Sequence, residues 1–211
     1  MKKNYISNSS ESIRMFKSSF MESLSKVHFS VPLFVYVPVI IYVSYLSLTQ
    51  PQMNIGMFAL CFLGGLGIWT ITEYVLHRWV FHFVPKSKWG LRLHFIFHGV
   101  HHDYPKDAKR LVMPPSASIP LAVGFYFLFM LFFKDKAYLW AFFPGFLTGY
   151  LVYDMMHYAM HHYNFKSSLM KRVKQHHMLH HYDDSSKGYG VSTSLWDEIF
   201  RSGFPKKKQK A

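Results

Sequence analysis

The sequence predicts an all-α integral membrane protein, with about four transmembrane helices and a cytoplasmic, histidine-rich helical cap. Three observations lead there: long stretches lack charge, Lys and Arg collect in alternate segments, and histidines recur at helical spacing. Half of the 211 residues are hydrophobic and 19% are aromatic, yet the formal net charge is +13. Apolar content and charge at these levels coexist when they are separated along the chain, as in a membrane protein with polar loops. The single Cys61 excludes an internal disulfide and any multi-cysteine zinc or iron–sulfur site. The basic residues are spread over three segments and accompany no nucleic-acid motif, so no nucleic-acid partner is expected.

Residues 1–30 are polar and Ser-rich, without the pattern of a cleavable signal. Within them Ile13, Phe16, Phe20, Leu24 and Val27 step by three or four, the stripe of an amphipathic helix. Lys17 and Lys26 suit lipid headgroups, so this arm reads as an interfacial helix or, equally, a solvated arm. Residues 31–211 read as a single membrane domain. Val31 to Thr49 carries no charge and approaches the roughly 20 residues that cross a bilayer core. A tight turn at residues 50–54 leads to a second apolar run, 55–72, in which Gly64, Gly65 and Gly67 offer a face for close helix packing. After the polar stretch 86–115, two further apolar runs, 118–133 and 138–153, read as a hairpin that enters the membrane and returns. Residues 154–211 are polar and basic, ending in Lys206-Lys207-Lys208-Gln209-Lys210.

Charge sets the orientation. With four crossings, residues 1–30, 73–117 and 154–211 share one side and hold 22 of the 24 Lys and Arg. Only Lys134 and Lys136 lie opposite, so the shared side is expected to be cytoplasmic. That places a multi-pass protein in a bacterial inner membrane, or in the endoplasmic reticulum of a eukaryote.

Of the 14 histidines, 13 fall in or beside four clusters on that same side, and only His28 lies outside. His98, His101 and His102 stand three and four apart, so they are expected to converge on one point of a helix face. His177, His180 and His181 repeat the pattern, His157 and His161 have the four-residue step, and His77 and His82 open the set. Imidazoles so placed suit a transition metal. These ten exceed what one ion takes and match two at five or six coordination, whereas a tetrahedral zinc takes four. His77 and His82, five apart, would point about 140° apart on an ideal α-helix, so the helix is expected to loosen there or end between them. His94 precedes His98 by four and reads as an extra ligand or a supporting partner. His162 and His176 are expected to point elsewhere. Asp154 precedes His157 by three and Glu73 precedes His77 by four, so each is expected to orient an imidazole N–H.

The order H-x4-H, H-x2-H-H, H-x3-H-H, H-x2-H-H on membrane helices resembles the fatty acid hydroxylase superfamily of membrane di-iron enzymes. Within it the likeness is to fatty acid 2-hydroxylases acting on sphingolipid acyl chains. It rests also on His98-Gly99-Val100-His101-His102-Asp103-Tyr104-Pro105, on Arg110-Leu111-Val112-Met113-Pro114-Pro115, on Gly190-Val191-Ser192-Thr193 and on Trp196-Asp197, covering roughly residues 60–202. The resemblance implies two iron ions, with zinc a possible substitute, O2 as cosubstrate, and insertion of one oxygen atom at C2 of a long acyl chain. It implies no catalytic group beyond the metal centre. No His-Pro-Gly-Gly haem signature occurs, so electrons are expected from a separate donor: a cytochrome b5-like protein, a ferredoxin or a reductase. Arg110 reads as an interfacial anchor, with a lipid carboxyl or headgroup as the alternative partner. A desaturase or a sterol- or carotenoid-type oxidase would use nearly the same ligands. A metal transporter or buffer is the non-enzymatic alternative, although transporters usually place polar ligands at mid-membrane depth.

Overall fold

A computed structural model describes residues 6–205, so the C-terminal lysine run lies outside the described residues. All its regular structure is helical. In order the elements are α1 (Ser19–Leu24), α2 (Val31–Leu48), α3 (Ile55–Val75), π1 (Leu76–Phe81), α4 (Lys88–His94), π2 (Phe95–Gly99), α5 (Val100–Asp103), α6 (Pro115–Met130), α7 (Lys136–His162), α8 (Ser168–Tyr182) and α9 (Leu195–Ile199).

The centre of the bundle is α7, packed along α3 and α2 and flanked by α6. Small residues let α3 and α7 meet backbone to backbone. A Cβ on Gly65 would lie 2.0 Å from the Phe142 carbonyl oxygen, and one on Gly145 would lie 1.9 Å from that of Phe62. Of the three glycines expected to serve this packing, Gly65 does so. Gly64 makes only ordinary contact and Gly67 faces open space. Around the crossing Trp69, Phe146 and Tyr150 pack edge to face, with Trp69–Phe146 centroids 5.1 Å apart.

Two helices among the described residues, Val31–Leu48 and the continuous Ile55–Phe81, are long and apolar enough to cross a membrane. Both keep most of their side chains unburied, so Phe34, Ile41, Ile55 and Leu60 face outward. The expected third and fourth spans differ from these. α6 has 16 residues, about 24 Å of helix against a hydrocarbon core of about 30 Å. The apolar run 138–153 belongs to α7, and most of it is buried against neighbouring helices. Apolar runs that serve a protein core and those that serve a lipid face look alike in sequence, which is why the count of four came down to two clear candidates.

The arm also departs from expectation. Only Ser19–Leu24 is helical; Ile13 and Phe16 lie in irregular backbone. The arm lies along the cap, with the Ser7 N–H donating to the Asp103 carbonyl (2.8 Å) and Val27 N–H to that of Lys109 (2.9 Å). Buried Glu22 accepts from the Met15 and Phe16 N–H groups and pairs with Arg110 and Lys26, each at 2.7 Å. These tertiary bonds replace the helical ones the apolar stripe would have had. They also redefine Arg110, which is buried in the protein, where Asp107 and the Ile13 carbonyl complete its surroundings.

Candidate metal centre

Four helix ends bring the histidines together: π1 with the residue after it, π2 running into α5, the last turns of α7, and α8. The ten expected ligands gather into two groups of five. Site 1 holds His77, His82, His98, His102 and His180, and site 2 holds His101, His157, His161, His177 and His181. The triplets therefore divide rather than converge. In each H-x2-H-H run the pair four apart stays together, His98 with His102 and His177 with His181, and the third imidazole joins the other site. On a helix residues i+3 and i+4 lie about 100° apart in azimuth, which is enough to aim them at two neighbouring points.

The five-residue step of His77 and His82 is met by a π turn. The His82 N–H bonds the His77 carbonyl at 3.1 Å, five residues back, and the two Nε2 atoms come within 3.2 Å. A second π turn, Phe95–Gly99, intervenes between His94 and His98, so the face they were expected to share is broken and His94 stays outside both sites.

Within site 1, His77, His82 and His98 have Nε2 atoms 3.1–3.2 Å apart, His102 lies 3.0 Å from His98, and His180 lies 3.0 Å from His82. In site 2 the corresponding separations run from 2.8 Å (His157–His101) to 3.1 Å (His181–His177). A metal about 2.1 Å from each nitrogen puts donors at right angles about 3.0 Å apart. The spacing fits five donors gathered around one ion. The proton count agrees. The Nδ1 of His77 lies 2.5 Å from the Tyr189 carbonyl and that of His180 lies 2.7 Å from the Lys187 carbonyl. A carbonyl only accepts, so each Nδ1 carries the proton and each Nε2 presents a bare lone pair inward. Two bare nitrogens within one cluster of five donors suit a cation held among them. Burial, together with neighbouring His102 and His180, pushes His82 down to about 2, and burial lowers His180 to about 4. Both imidazoles are held neutral, the form a metal requires.

The family model described as fatty acid hydroxylase matches residues 62–202, two thirds of the chain and all ten histidines. The chain belongs to the fatty acid hydroxylase family. It is 36% identical to the fatty acid 2-hydroxylase of Rattus norvegicus, covering 92% of this chain and 57% of that protein. It is 39% identical to a dihydroceramide fatty acyl 2-hydroxylase of Arabidopsis thaliana, over 90% and 79% of the two lengths. The solved structure of full-length scs7p, of which only the hydroxylase domain is visible, superposes with a TM-score of 0.84 at 35% identity, covering 89% of this chain and 70% of that one. The chain thus spans little more than half the length of the mammalian 2-hydroxylases it matches.

In this family member the two carboxylates expected to orient imidazoles turn elsewhere. Glu73 accepts from the Val191 and Ser192 N–H groups (2.7 and 2.8 Å) and from the Ser192 hydroxyl. Asp154 accepts from Met113 N–H (3.2 Å) and Tyr150 hydroxyl (3.1 Å). Each carboxylate braces a distant segment against its helix. Sequence reasoning missed the groups that do meet the imidazoles, because backbone carbonyls carry no residue signature. The nearest signal was Gly188-Tyr189-Gly190: Gly188 has φ +70°, and a Cβ on Gly190 would lie 2.0 Å from the Thr193 carbonyl oxygen. His176 points away from both sites, toward Asp197 at 3.0 Å. A cavity of about 280 Å³ reaches His98 of site 1 and His101 and His157 of site 2, with walls that include Val112, Met113, Met15 and Phe16.

Proposed function

We propose that this chain is an O2-dependent di-iron monooxygenase that hydroxylates a long acyl chain at C2, in a fatty acid or a sphingolipid, with electrons from a separate donor. The observation that carries the reading is the pair of five-imidazole sites bordering a single, mostly apolar cavity. The ten histidines would hold two iron ions, site 1 through His77, His82, His98, His102 and His180, and site 2 through the other five. Bound iron would supply activation of O2 and transfer of one oxygen atom into a C–H bond.

The chain's own residues do the rest. The arm's Met15 and Phe16 and the cap's Val112 and Met113 give the acyl chain a dry wall beside His98, His101 and His157. Burial keeps the imidazoles neutral, and the carbonyls of Tyr189 and Lys187 hold two of them in one tautomer. Selection of C2 follows from fixing the acyl chain at one depth in the cavity. Regiochemistry at C2 is supported by the relatives, named as fatty acid and dihydroceramide fatty acyl 2-hydroxylases.

In the membrane, α2 and α3 cross the bilayer, the α6–α7 hairpin completes four crossings, and the cap with its histidines lies on the cytoplasmic side. Externally applied thiol reagent is then expected to label a cysteine at position 135 and to spare one at position 187. The chemistry is tested by expressing the chain and comparing lipids by mass spectrometry with a His180→Ala variant. The expected result is 2-hydroxylated acyl chains with the unaltered protein and none with the variant. New double bonds, or hydroxyls away from C2, would overturn the assignment.

A further inference from the structure

Resting on the two-metal reading, we infer that Asp197 and Glu73 are positioning residues for site 1. They clamp the 187–192 loop from two sides, so that its carbonyls aim His77 and His180. Asp197 is buried, 1% exposed, and accepts from two backbone N–H groups of this loop. Its Oδ1 accepts from Tyr189 N–H (3.0 Å) and the Ser202 hydroxyl (2.8 Å), and its Oδ2 accepts from Gly190 N–H (2.7 Å) with His176 at 3.0 Å. Glu73, 3% exposed, takes the next two N–H groups of the same loop, those of Val191 and Ser192. Four consecutive backbone N–H groups thus end on two buried carboxylates.

A peptide unit is planar, so fixing its N–H fixes the carbonyl on the far side of the same unit. The Gly190 N–H bound by Asp197 belongs to the peptide whose oxygen is the Tyr189 carbonyl, the acceptor for His77 Nδ1. The Gly188 N–H donates to the Ser202 carbonyl at 2.9 Å and belongs to the peptide of the Lys187 carbonyl, the acceptor for His180 Nδ1. Ser202 is itself held by Asp197, through its hydroxyl and through its N–H to the Asp197 carbonyl at 2.9 Å. Both paths lead to imidazoles of site 1. In site 2 the Nδ1 atoms of His101, His177 and His181 are buried with no hydrogen-bond partner. The carbonyls that the clamp fixes therefore meet two imidazoles of site 1 and none of these three.

The test reads metal, not turnover. Unaltered protein is loaded with iron or cobalt, counted by elemental analysis, and stripped with a competing chelator. His82→Ala and His161→Ala identify which release phase belongs to which site. Asp197→Asn keeps the size of the side chain but offers an amide where Oδ2 accepts, so site 1 is expected to bind roughly 10–100-fold more weakly while site 2 holds its metal as before. If Asp197→Asn fails to fold, Glu73→Gln tests the same loop from its other edge with the same expected outcome. Equal loosening of both sites in a folded variant, or no change at site 1 in either variant, would overturn the inference. A failure of the two-metal reading would be distinct, appearing as a count near one in the unaltered protein.

Discussion

The two histidine sites differ in how much non-local structure each one needs. Site 2 takes two pairs of imidazoles four apart, His157 with His161 and His177 with His181, and adds His101. Ordinary α-helical geometry presents each pair ready-made. Site 1 has one such pair, His98 with His102. Its other members need a π turn to swing His82 beside His77, and a loop near the end of the chain to orient His77 and His180. Site 2 therefore rests on three helix ends, whereas two members of site 1 also bond carbonyls near the 187–192 loop.

The largest effect that could break this comparison is loss of a ligand. His98→Ala and His181→Ala are each expected to abolish hydroxylation, because groups that act as one assembly fail together. Metal analysis should show one ion lost in each case, from site 1 and from site 2 respectively. If each removes both ions, the sites are not separately assembled.

Inserting an alanine after Val80 comes next. It would lengthen the step from His77 to His82 to six residues, which neither an α turn nor a π turn brings onto one face. Site 1 is expected to lose its metal and the enzyme its activity, while the chelator-release phase of site 2 persists. Retention of two ions would mean that the π turn is incidental.

A third test strikes the helix crossing below both sites. Gly145→Leu would force side-chain atoms into the α3 backbone, where a Cβ alone would stand 1.9 Å from the Phe62 carbonyl oxygen. A cost of about 1–3 kcal/mol or more is expected, read as a lower melting temperature in detergent, with both sites weakened alike. Selective loss at one site would contradict the view that α3 and α7 carry both.

The arm should respond to pH. Burial alone would raise Glu22, but the Lys26 hydrogen bond, the Phe16 and Met15 N–H groups and Arg110 outweigh it and bring the carboxyl down to about 2. A carboxyl lowered from its ordinary 4.5 stabilises the docked arm above 4.5, and that stabilisation is lost as pH falls toward 2. Pepsin is expected to cut within residues 7–27 increasingly over that window. Glu22→Gln should be cut there by a neutral protease at pH 7, where the unaltered chain resists. The smallest effect belongs to His28→Ala. This exposed imidazole bonds only Ser30 nearby, so metal content and activity should not change.

What was legible from the residues alone follows the range of the interactions involved. Helical spacing is local: the ten histidines that gather could be picked from their intervals, and the break between His77 and His82 was visible as a step no α turn accommodates. The motifs around them, from His98 to Pro105 and from Gly190 to Thr193, were enough to name the family. Tertiary structure decided everything that depends on which residue faces which. A run of apolar residues reads the same whether most of it stays unburied, as in α3, or packs against protein, as the 138–153 run of α7 does. A stripe such as Ile13 to Val27 predicts a helix until Glu22, Arg110 and the cap offer its backbone other partners. The division of each histidine triplet between two sites rests on contacts such as His101 with His157 and His82 with His180, 56 and 98 residues apart, and the Tyr189 carbonyl lies 112 residues from His77. Periodicity within one helix carries no record of such contacts, since backbone acceptors are the same at every residue.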